Sequence, residues 1–321
     1  MMVKSKKGSF SVAEFYSKFG IVLIFVLLFV IMSVVNRNFI SGVNLRNVVR
    51  QVVVITILAC GEQLMLISGM VDLSPGRVLA FAGTLSAYCM MKTGNLFLAL
   101  VVGLACGLLF GAINGALITA FDIPPFIATL ASMQMADGAI MAFTGGQNYS
   151  NLPASFNFLG QGYIGFIPFP VVIMILVLII TYIILAWTPM GRSLYAIGGN
   201  QAAALASGIR VKRSKFFACA FGGVCTGLAG ILLMARMSSG QPAAGEGMEM
   251  DAITAVIVGG TSMSGGVGNI LNTIVGSLII GIIKNFMNLQ NINSSFQDIV
   301  LGILICVAVI IDVQVRKANT K

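Results

Sequence analysis

The sequence predicts an all-α integral membrane protein with about ten transmembrane helices and two broken, glycine-rich spans. Hydrophobic residues make up 58% of the 321 residues and charged residues only 9%, which is too little polar surface to cover a soluble globule. Long apolar runs recur, whereas the alternating segments that form membrane barrels do not occur in the sequence. The spans are therefore expected to be helical, within a single domain covering residues 1–321.

Composition also argues against several classes of function. The chain has no histidine, and its six cysteines all fall inside apolar runs without the spacing of metal ligands. They are Cys60, Cys89, Cys106, Cys219, Cys225 and Cys306. We expect them to be small buried packing residues. No metal, cofactor or catalytic dyad is predicted, so the chain is not expected to be an enzyme.

The net charge of +9 would suggest nucleic acid in a soluble protein, but here the charges lie in loops and tails. Anionic lipid and membrane orientation explain them better.

The first 19 residues contain four lysines and are followed by the apolar run 21–35. The lysines are Lys4, Lys6, Lys7 and Lys18. A signal peptide would show a similar pattern. However, no small-x-small cleavage site follows the run, and the next residues are polar. We therefore predict an uncleaved first span and a cytoplasmic tail at residues 1–19.

The second span, about 52–68, ends at the sequence SGMVDLSPG, residues 68–76, which we call the first break. Pro75 lacks an amide hydrogen, and Gly69 and Gly76 permit unusual dihedral angles, so the helix is expected to stop there. A short third span follows at 77–91.

The fourth span, 96–120, has glycines at a strict interval of four, which predicts a face for close helix packing. They are Gly103, Gly107, Gly111 and Gly115. After two prolines comes a fifth span at 126–143, and then an uncharged loop at 144–168. The sixth span is 169–187. Counting from a cytoplasmic amino terminus places the 144–168 loop outside.

Residues 188–215, which we call the coupling segment, form the longest polar interruption that carries concentrated positive charge. It contains five basic residues and no acid: Arg192, Arg210, Lys212, Arg213 and Lys215. Since basic loops stay cytoplasmic, this segment is expected on the inner face, in agreement with the span count. Its alanine-rich middle predicts a short amphipathic helix with Asn200 as the N-cap.

The second half of the chain repeats this alternation. A seventh span is expected at 216–234 and an outer loop up to residue 250. The short apolar run 252–258 ends in GGTSMSGGVGN, residues 259–269, the second break. Spans at 270–287 and 299–311 follow, with a basic cytoplasmic tail at 313–321. Arg37, Arg46 and Arg50 near the first outer loop weaken this charge bias.

The two breaks occupy comparable places in the two halves of the chain. Duplicated halves with broken spans are a recurrent transporter arrangement, in which the breaks lie near the solute pathway. The sequence therefore predicts a two-fold internal pseudo-repeat.

Four stretches carry a resemblance to a known family. They are VDLSPG (71–76), IPPFIATLASM (123–133), GRSLYAIGGNQAAALASGI (191–209) and MDAITAVIVGGTSMSGGVGN (250–269), and FQDIVLGILICVAVIID (296–312) continues the match. In this order they resemble the permease subunits of ATP-binding-cassette importers of the ribose, or simple-monosaccharide, type.

The resemblance implies a multi-pass permease of the bacterial cytoplasmic (inner) membrane, with ten spans and both termini cytoplasmic. It also implies three partners: a second permease subunit, identical or different, a separate cytosolic ATP-binding subunit, and an extracytoplasmic sugar-binding protein. Residues 191–209 would be the coupling helix that docks on the ATPase. The candidate coupling residues are Gly191, Arg192, Tyr195, Gly198, Gly199, Asn200, Ala203 and Gly208. Independently of the family, no G-x-x-x-x-G-K-[ST] motif occurs in this chain, so it needs an energising partner.

Polar residues at the two breaks are candidates for the translocation path: Glu62, Asp72, Ser74, Thr261, Ser262 and Ser264. The acids could instead be satisfied by Arg77, Arg50 or backbone amides, and Asp72 could cap the following helix. The hydroxyls could equally satisfy backbone groups freed by the breaks. Three acids outside, Glu246, Glu249 and Asp251, could pair with a binding protein or simply be solvated.

A rival interpretation is an ion-coupled secondary transporter of a small polar solute. It would use Glu62, Asp72 or Asp137 as a proton or cation site.

Overall fold

The computed structural model describes the chain from residue 12 to residue 319, without the side chains of 12–19, 311 and 315–319. The helices in this part are α1 (Val12–Val35), α2 (Gly42–Ile67), α3 (Pro75–Thr93), α4 (Leu96–Thr119), α5 (Pro125–Thr144), α6 (Ala154–Gln161), α7 (Phe169–Trp187), α8 (Pro189–Gly199), α9 (Gln201–Ala206), α10 (Val211–Met237), α11 (Met248–Val258), α12 (Ile270–Leu289) and α13 (Ser294–Asn319), with a 3-10 turn at Arg37–Ile40. Four two-residue strands are β1 (Tyr149–Ser150), β2 (Tyr163–Ile164), β3 (Ile167–Pro168) and β4 (Ser239–Gly240). The chain is mostly helical, as expected.

Each of the ten predicted apolar segments lies in a helix of its own: α1 to α5, α7 and α10 to α13. In the described residues, 7 helices are long and apolar enough to cross a membrane, namely α2, α4, α5, α7, α10, α12 and α13 up to residue 314. The apolar part of α1, Gly20–Val35, is shorter. Of the other two, α3 carries more polar residues and α11 is short, with 11 residues. Length and composition thus support a multi-pass membrane protein without fixing the number of spans at ten.

Three helix boundaries differ most from the sequence-based expectation. The helix α2 begins at Gly42 rather than near Val52, because Ser41 caps it by accepting a hydrogen bond from the Asn44 amide at 3.3 Å. The helix α1 begins at Val12, inside the predicted tail, and α13 runs to Asn319 through most of the other predicted tail. Neither extension contains a glycine or proline that would stop a helix. Four lysines of the two predicted tails, Lys4, Lys6, Lys7 and Lys321, lie outside the described residues.

The helix α10 lies at the centre of close helix packing, and the predicted glycine face of α4 is confirmed. A Cβ atom added at Gly107 would overlap the backbone of Gly223 and Gly227 on α10, and one at Gly111 would lie 2.9 Å from the Cα of Gly223. The helices α3 and α2 approach α10 in the same way, through Gly83 against Gly230 and Gly61 against Gly222. Because no side chains intervene, these backbones pack in direct contact.

The helix α2 forms the core of the bundle. Every residue from 52 to 67 is buried, and α2 contacts α7, α8, α10, α11 and α12. The apolar helix α7, in contrast, exposes most of its surface. Of the six cysteines predicted to be buried, three are buried and two are half-buried, but Cys306 is exposed. That prediction was wrong for Cys306 because α13 packs mainly against a single helix, α11.

The 144–168 loop is more ordered than its uncharged sequence indicated. It contains α6 and the hairpin formed by β2 and β3, and β1 pairs antiparallel with β4 from the loop after α10. The side chain of Gln161 donates to the carbonyl oxygen of Arg236 at 2.8 Å and to the hydroxyl of Ser238 at 2.8 Å. The backbone at Gly160 lies directly on α10. This loop therefore covers one end of the bundle.

Candidate functional site

The coupling segment forms two helices, α8 and α9, joined at Asn200. Thr188 begins α8 by accepting a hydrogen bond from the Gly191 amide at 3.2 Å, and Pro189 supplies the first helical residue. Asn200 caps α9, as predicted, by accepting from the Ala203 amide at 3.0 Å. The predicted single short helix is thus two helices, and the amphipathic one, α8, starts before the alanine-rich stretch. The sequence Thr188-Pro189 marks the beginning of α8. The alanine content, on which the helix prediction was based, gives no indication of this beginning.

The candidate coupling residues divide into two sets. Those that face the bundle are Gly191, which is buried, and Tyr195 and Gly198, which are half-buried. Those that are exposed are Arg192, Gly199, Asn200, Ala203 and Gly208. Sequence reasoning missed Leu205, whose side chain on α9 is 65% exposed among polar and small neighbours. The segment therefore has an inner face joined to the bundle and an outer face that is free in this chain.

At Gly198 the inner face contacts the end of α2 and the second break. A Cβ atom there would overlap the carbonyl oxygen of Ile67, the last residue of α2, and the amide nitrogen of Gly266 in the second break. The Gly266 amide in turn donates to the Ile67 carbonyl at 2.9 Å. Gly265, with φ +84, lies so close to the first break that its added Cβ would be 2.9 Å from the Gly69 nitrogen. Three segments far apart in sequence therefore meet backbone to backbone.

A second contact of α8 reaches the end of the second break. The Tyr195 hydroxyl donates to the Gly268 carbonyl oxygen at 2.8 Å. A tyrosine phenol is already protonated at neutral pH and can donate, and burial raises the pKa of Tyr195 further above its ordinary value. Tyr195 and Gly198 thus hold the second break at two points.

The second break is also tied to α2 by Gln63, a residue that sequence reasoning missed. Its amide nitrogen lies 2.8 Å from the Thr261 hydroxyl oxygen, and its amide oxygen accepts from the Thr273 hydroxyl at 2.6 Å. Ser262 donates to Asp312 at 2.8 Å. Of the three hydroxyl candidates in the second break, Thr261 and Ser262 are therefore buried and bonded within the protein, whereas Ser264 is exposed. The signal in the sequence that could have identified this residue was the presence of a glutamine, Gln63, inside the apolar second span.

The first break forms a buried polar cluster. One Asp72 oxygen accepts from both the amide and the hydroxyl of Ser74, at 2.8 and 2.6 Å, and the Asp72 amide donates to Glu62 at 3.2 Å. Asn114 of α4 donates to the Ser74 hydroxyl oxygen at 3.0 Å. All four side chains are buried. The N-cap position of α3 is occupied by Ser74, so Asp72 does not cap the helix but holds the turn before it. Backbone and hydroxyl donors, rather than an arginine, satisfy Asp72.

The arginines considered as partners of these acids bind elsewhere. Arg50 donates to the Gln161 carbonyl oxygen at 2.7 Å, and Arg77 forms ion pairs with Asp137 at 3.3 Å and Glu246 at 3.2 Å. Each ion pair joins two elements that are far apart in the sequence, so spacing along the chain could not predict it.

The three acids after α10 do not form a free acidic patch. The Asp251 carboxylate is buried and contacts the Lys284 amine of α12 through both oxygens, at 2.7 and 2.6 Å. Glu246 is exposed but paired, and Glu249 is half-buried against Gly76. The expectation of three outer acids free to meet solvent or a partner was wrong for Asp251, which is buried against Lys284, whereas Glu246 is exposed.

Comparisons with known proteins agree with this architecture. A family model described as branched-chain amino acid transport system / permease component matches residues 44–309. The ribose import permease protein RbsC of Bacillus subtilis is 41% identical over 297 residues, 92% of each chain. RbsC of Escherichia coli K12 is 38% identical over 289 residues, 89% of this chain and 90% of the relative. The L-arabinose transport system permease protein AraH of Escherichia coli K12 is 35% identical over 313 residues, 98% of this chain and 95% of the relative. No solved structure matches the chain.

Proposed function

The chain belongs to the branched-chain amino acid transport system / permease component family, and we propose that within it the chain is the membrane-spanning permease subunit of an ATP-driven sugar importer. The relatives that it matches over about nine tenths of its length or more are named as permeases for ribose and L-arabinose. The solute is accordingly a simple sugar or a related small polar molecule. The chain itself does no covalent chemistry.

One observation supports the energy source above all others: the coupling segment has a free outer face and an inner face fixed to the second break and to the end of α2. The exposed set, including Arg192 and Leu205, supplies charge and one large apolar side chain for a docking partner. Since the sequence has no P-loop, that partner is a separate cytosolic ATP-binding subunit.

The contacts of α8 suggest how movement is transmitted. When the ATPase subunits close, they push the outer face of the coupling segment. Gly198 and Tyr195 then move the second break, and the hydrogen bond from Gly266 to Ile67 carries the displacement to the end of α2. Packed backbones have little room to deform, so the displacement moves whole helices rather than a single loop.

The topology follows from the same arrangement. We propose ten spans in one permease domain of the bacterial inner membrane, with both termini and the coupling segment in the cytoplasm. Helices at all ten predicted positions support the count, and the meeting of the two breaks near α8 supports related halves. A second permease subunit, identical or different, completes the membrane part, and an extracytoplasmic sugar-binding protein delivers the solute.

Transport in a defined system tests this function. The chain, its ATPase subunit and its binding protein are reconstituted in proteoliposomes with ATP on the ATPase side, and uptake of radiolabelled D-ribose and L-arabinose is measured. We expect uptake of at least one sugar that requires ATP and resists a protonophore. Uptake that continues without ATP and collapses with the protonophore would establish the ion-coupled secondary transporter instead.

A further inference from the structure

Three elements bring charged side chains together on one surface of the chain. Arg77 lies in the first turn of α3, Asp137 in α5 and Glu246 in the segment that leads into α11. Arg77 is paired with both acids, at 3.3 and 3.2 Å. The Glu249 carboxylate lies against Gly76, next to Arg77 in the chain. We call these four residues the charged cluster. With one base and three acids its formal net charge is −2.

The charged cluster lies within the apolar length of α5 and is open on one side. At a rise of about 1.5 Å per residue, Asp137 is about 10 Å from the end of the helix at Thr144 and about 18 Å from its start at Pro125. The side chains of Asp137 and Glu246 are 36% and 76% exposed. A carboxylate at such a depth costs roughly 2.5 to 3.5 kcal/mol to insert if it faces hydrocarbon. The open side of the cluster therefore needs water or a polar partner.

The exposed surface of α5 beside the cluster is less apolar than that of α7. It combines small or polar residues, namely Ala131, Gln134, Gly138 and Ala142, with the apolar Met135 and Met141. Nothing lies within 4 Å of a Cβ atom placed at Gly138. The exposed residues of α7 are instead large and apolar, and include Ile175, Leu176, Ile179, Ile180 and Ile183. The free surface of α5 next to the cluster is therefore the more polar of the two.

We propose that the charged cluster lines the water-filled solute path and forms a polar constriction there that favours neutral polyhydroxyl solutes over anions. Carboxylate oxygens accept hydrogen bonds from adjacent hydroxyls, and the Arg77 guanidinium donates to them. The net negative charge repels a phosphate or a carboxylate. This inference rests on the proposed function, and it assigns the path to Arg77, Asp137 and Glu246 rather than to the buried Glu62, Asp72 and Ser74.

Cysteine labelling tests whether this surface meets water. Gly138→Cys and Leu176→Cys are compared in membrane vesicles that contain the complete transporter, with a membrane-impermeant methanethiosulfonate reagent. Leu176 is the matched control, since it is 55% exposed and lies, like Gly138, about 10 Å from the 144–168 loop along its helix. We expect labelling above that of the unsubstituted chain for Gly138→Cys only. Equal protection of both positions would overturn the proposal.

The charge of the reagent tests the selectivity. At Gly138→Cys, the rate with a trimethylammonium reagent is divided by the rate with a sulfonate reagent, and the quotient is normalised to that of Asn148→Cys in the 144–168 loop. We expect a preference of about tenfold for the cation from the net negative cluster. Adding Asp137→Asn and Glu246→Gln should bring the normalised quotient to about 1. A quotient near 1 before these substitutions would contradict the selectivity.

Uptake of D-ribose, or of whichever of the two test sugars the unsubstituted transporter accepts, tests the constriction itself. Asp137→Asn keeps the side-chain volume and should lower uptake about tenfold. The control Asp122→Asn, at an exposed acid paired with Lys212 outside the cluster, should stay within about twofold. Normal uptake by Asp137→Asn would overturn the constriction. Absence of ATP-dependent sugar uptake by the unsubstituted transporter would instead refute the proposed function, while the labelling results would still report on this surface.

Discussion

Replacing Gly198 by alanine tests the proposed transmission from the coupling segment to the breaks. The added methyl group would overlap the Ile67 carbonyl oxygen and the Gly266 amide nitrogen, which are both backbone atoms and cannot rotate away. To relieve the overlap, α8 must move away from α2 by on the order of 1 Å. The adjacent Gly199 offers a matched control, because nothing lies within 4 Å of its added Cβ atom.

The cost of Gly198→Ala follows from two contributions. Overpacking of a close contact costs about 1–3 kcal/mol, and loss of the hydrogen bond from Gly266 to Ile67 costs about 0.5–1.5 kcal/mol. A total of about 1.5–4.5 kcal/mol would shift the equilibrium between joined and separated arrangements at least about tenfold. The outer face of the segment is unchanged, so docking of the ATPase should persist.

The assay compares ATP hydrolysis with sugar uptake in the reconstituted transporter. We expect Gly198→Ala to lose at least about tenfold of its uptake while ATP hydrolysis continues, and Gly199→Ala to keep both activities. Amounts of folded, assembled transporter are matched by gel filtration before the comparison. Equal uptake by the two variants would refute the reasoning, since an added methyl group overlaps the backbone of Ile67 and Gly266 only at Gly198.

The remaining predictions concern single contacts. Tyr195→Phe removes one hydrogen bond to the second break, worth about 0.5–1.5 kcal/mol, and should lower uptake several-fold in the same assay without loss of ATP hydrolysis. Glu62→Gln retains the side-chain oxygen that accepts from the Asp72 amide, so uptake should remain within about twofold, whereas Glu62→Leu should lower the unfolding temperature. Lys284→Met leaves the Asp251 carboxylate buried without its partner and should destabilise the chain by about 3–5 kcal/mol, much of which Asp251→Leu in the same chain should restore. Thermal unfolding in detergent measures the stability of the Glu62→Leu and Lys284→Met variants. A Lys284→Met variant as stable as the parent would contradict the assigned ion pair.

Features with a regular spacing were predictable from the sequence. The glycines of α4 recur every four residues, which defines one helix face, and that face does pack on α10. Apolar runs located ten of the thirteen helices in the described residues, and the positions of proline and glycine located both breaks. Each of these signals is local, because helix length, helix faces and helix ends depend on nearby residues.

Features that depend on contacts between distant segments were not predictable. The helix α6 owes its place to Gly160 and Gln161 packing on α10, and its own sequence has no strong helix signal. Charge at Asp251 indicated an exposed loop, but its partner Lys284 lies on another helix. Nothing in the spacing of a single sequence identifies which residues will meet across such distances. For the same reason, polar candidates such as Glu62 could be found but not assigned to the path or to the core.

The placement of the intramembrane acids favours ATP-driven over ion-coupled transport. An ion-coupled transporter needs an acid that solution can reach from each side in turn. Glu62 and Asp72 are buried and bonded to their neighbours at the first break, so neither is open to either side in this conformation. Asp137 is accessible, but Arg77 already neutralises it, and a coupling cation would have to displace that guanidinium. The coupling segment, in contrast, combines a free face with direct contacts to the second break and to the end of α2, which is the arrangement that an external motor protein requires.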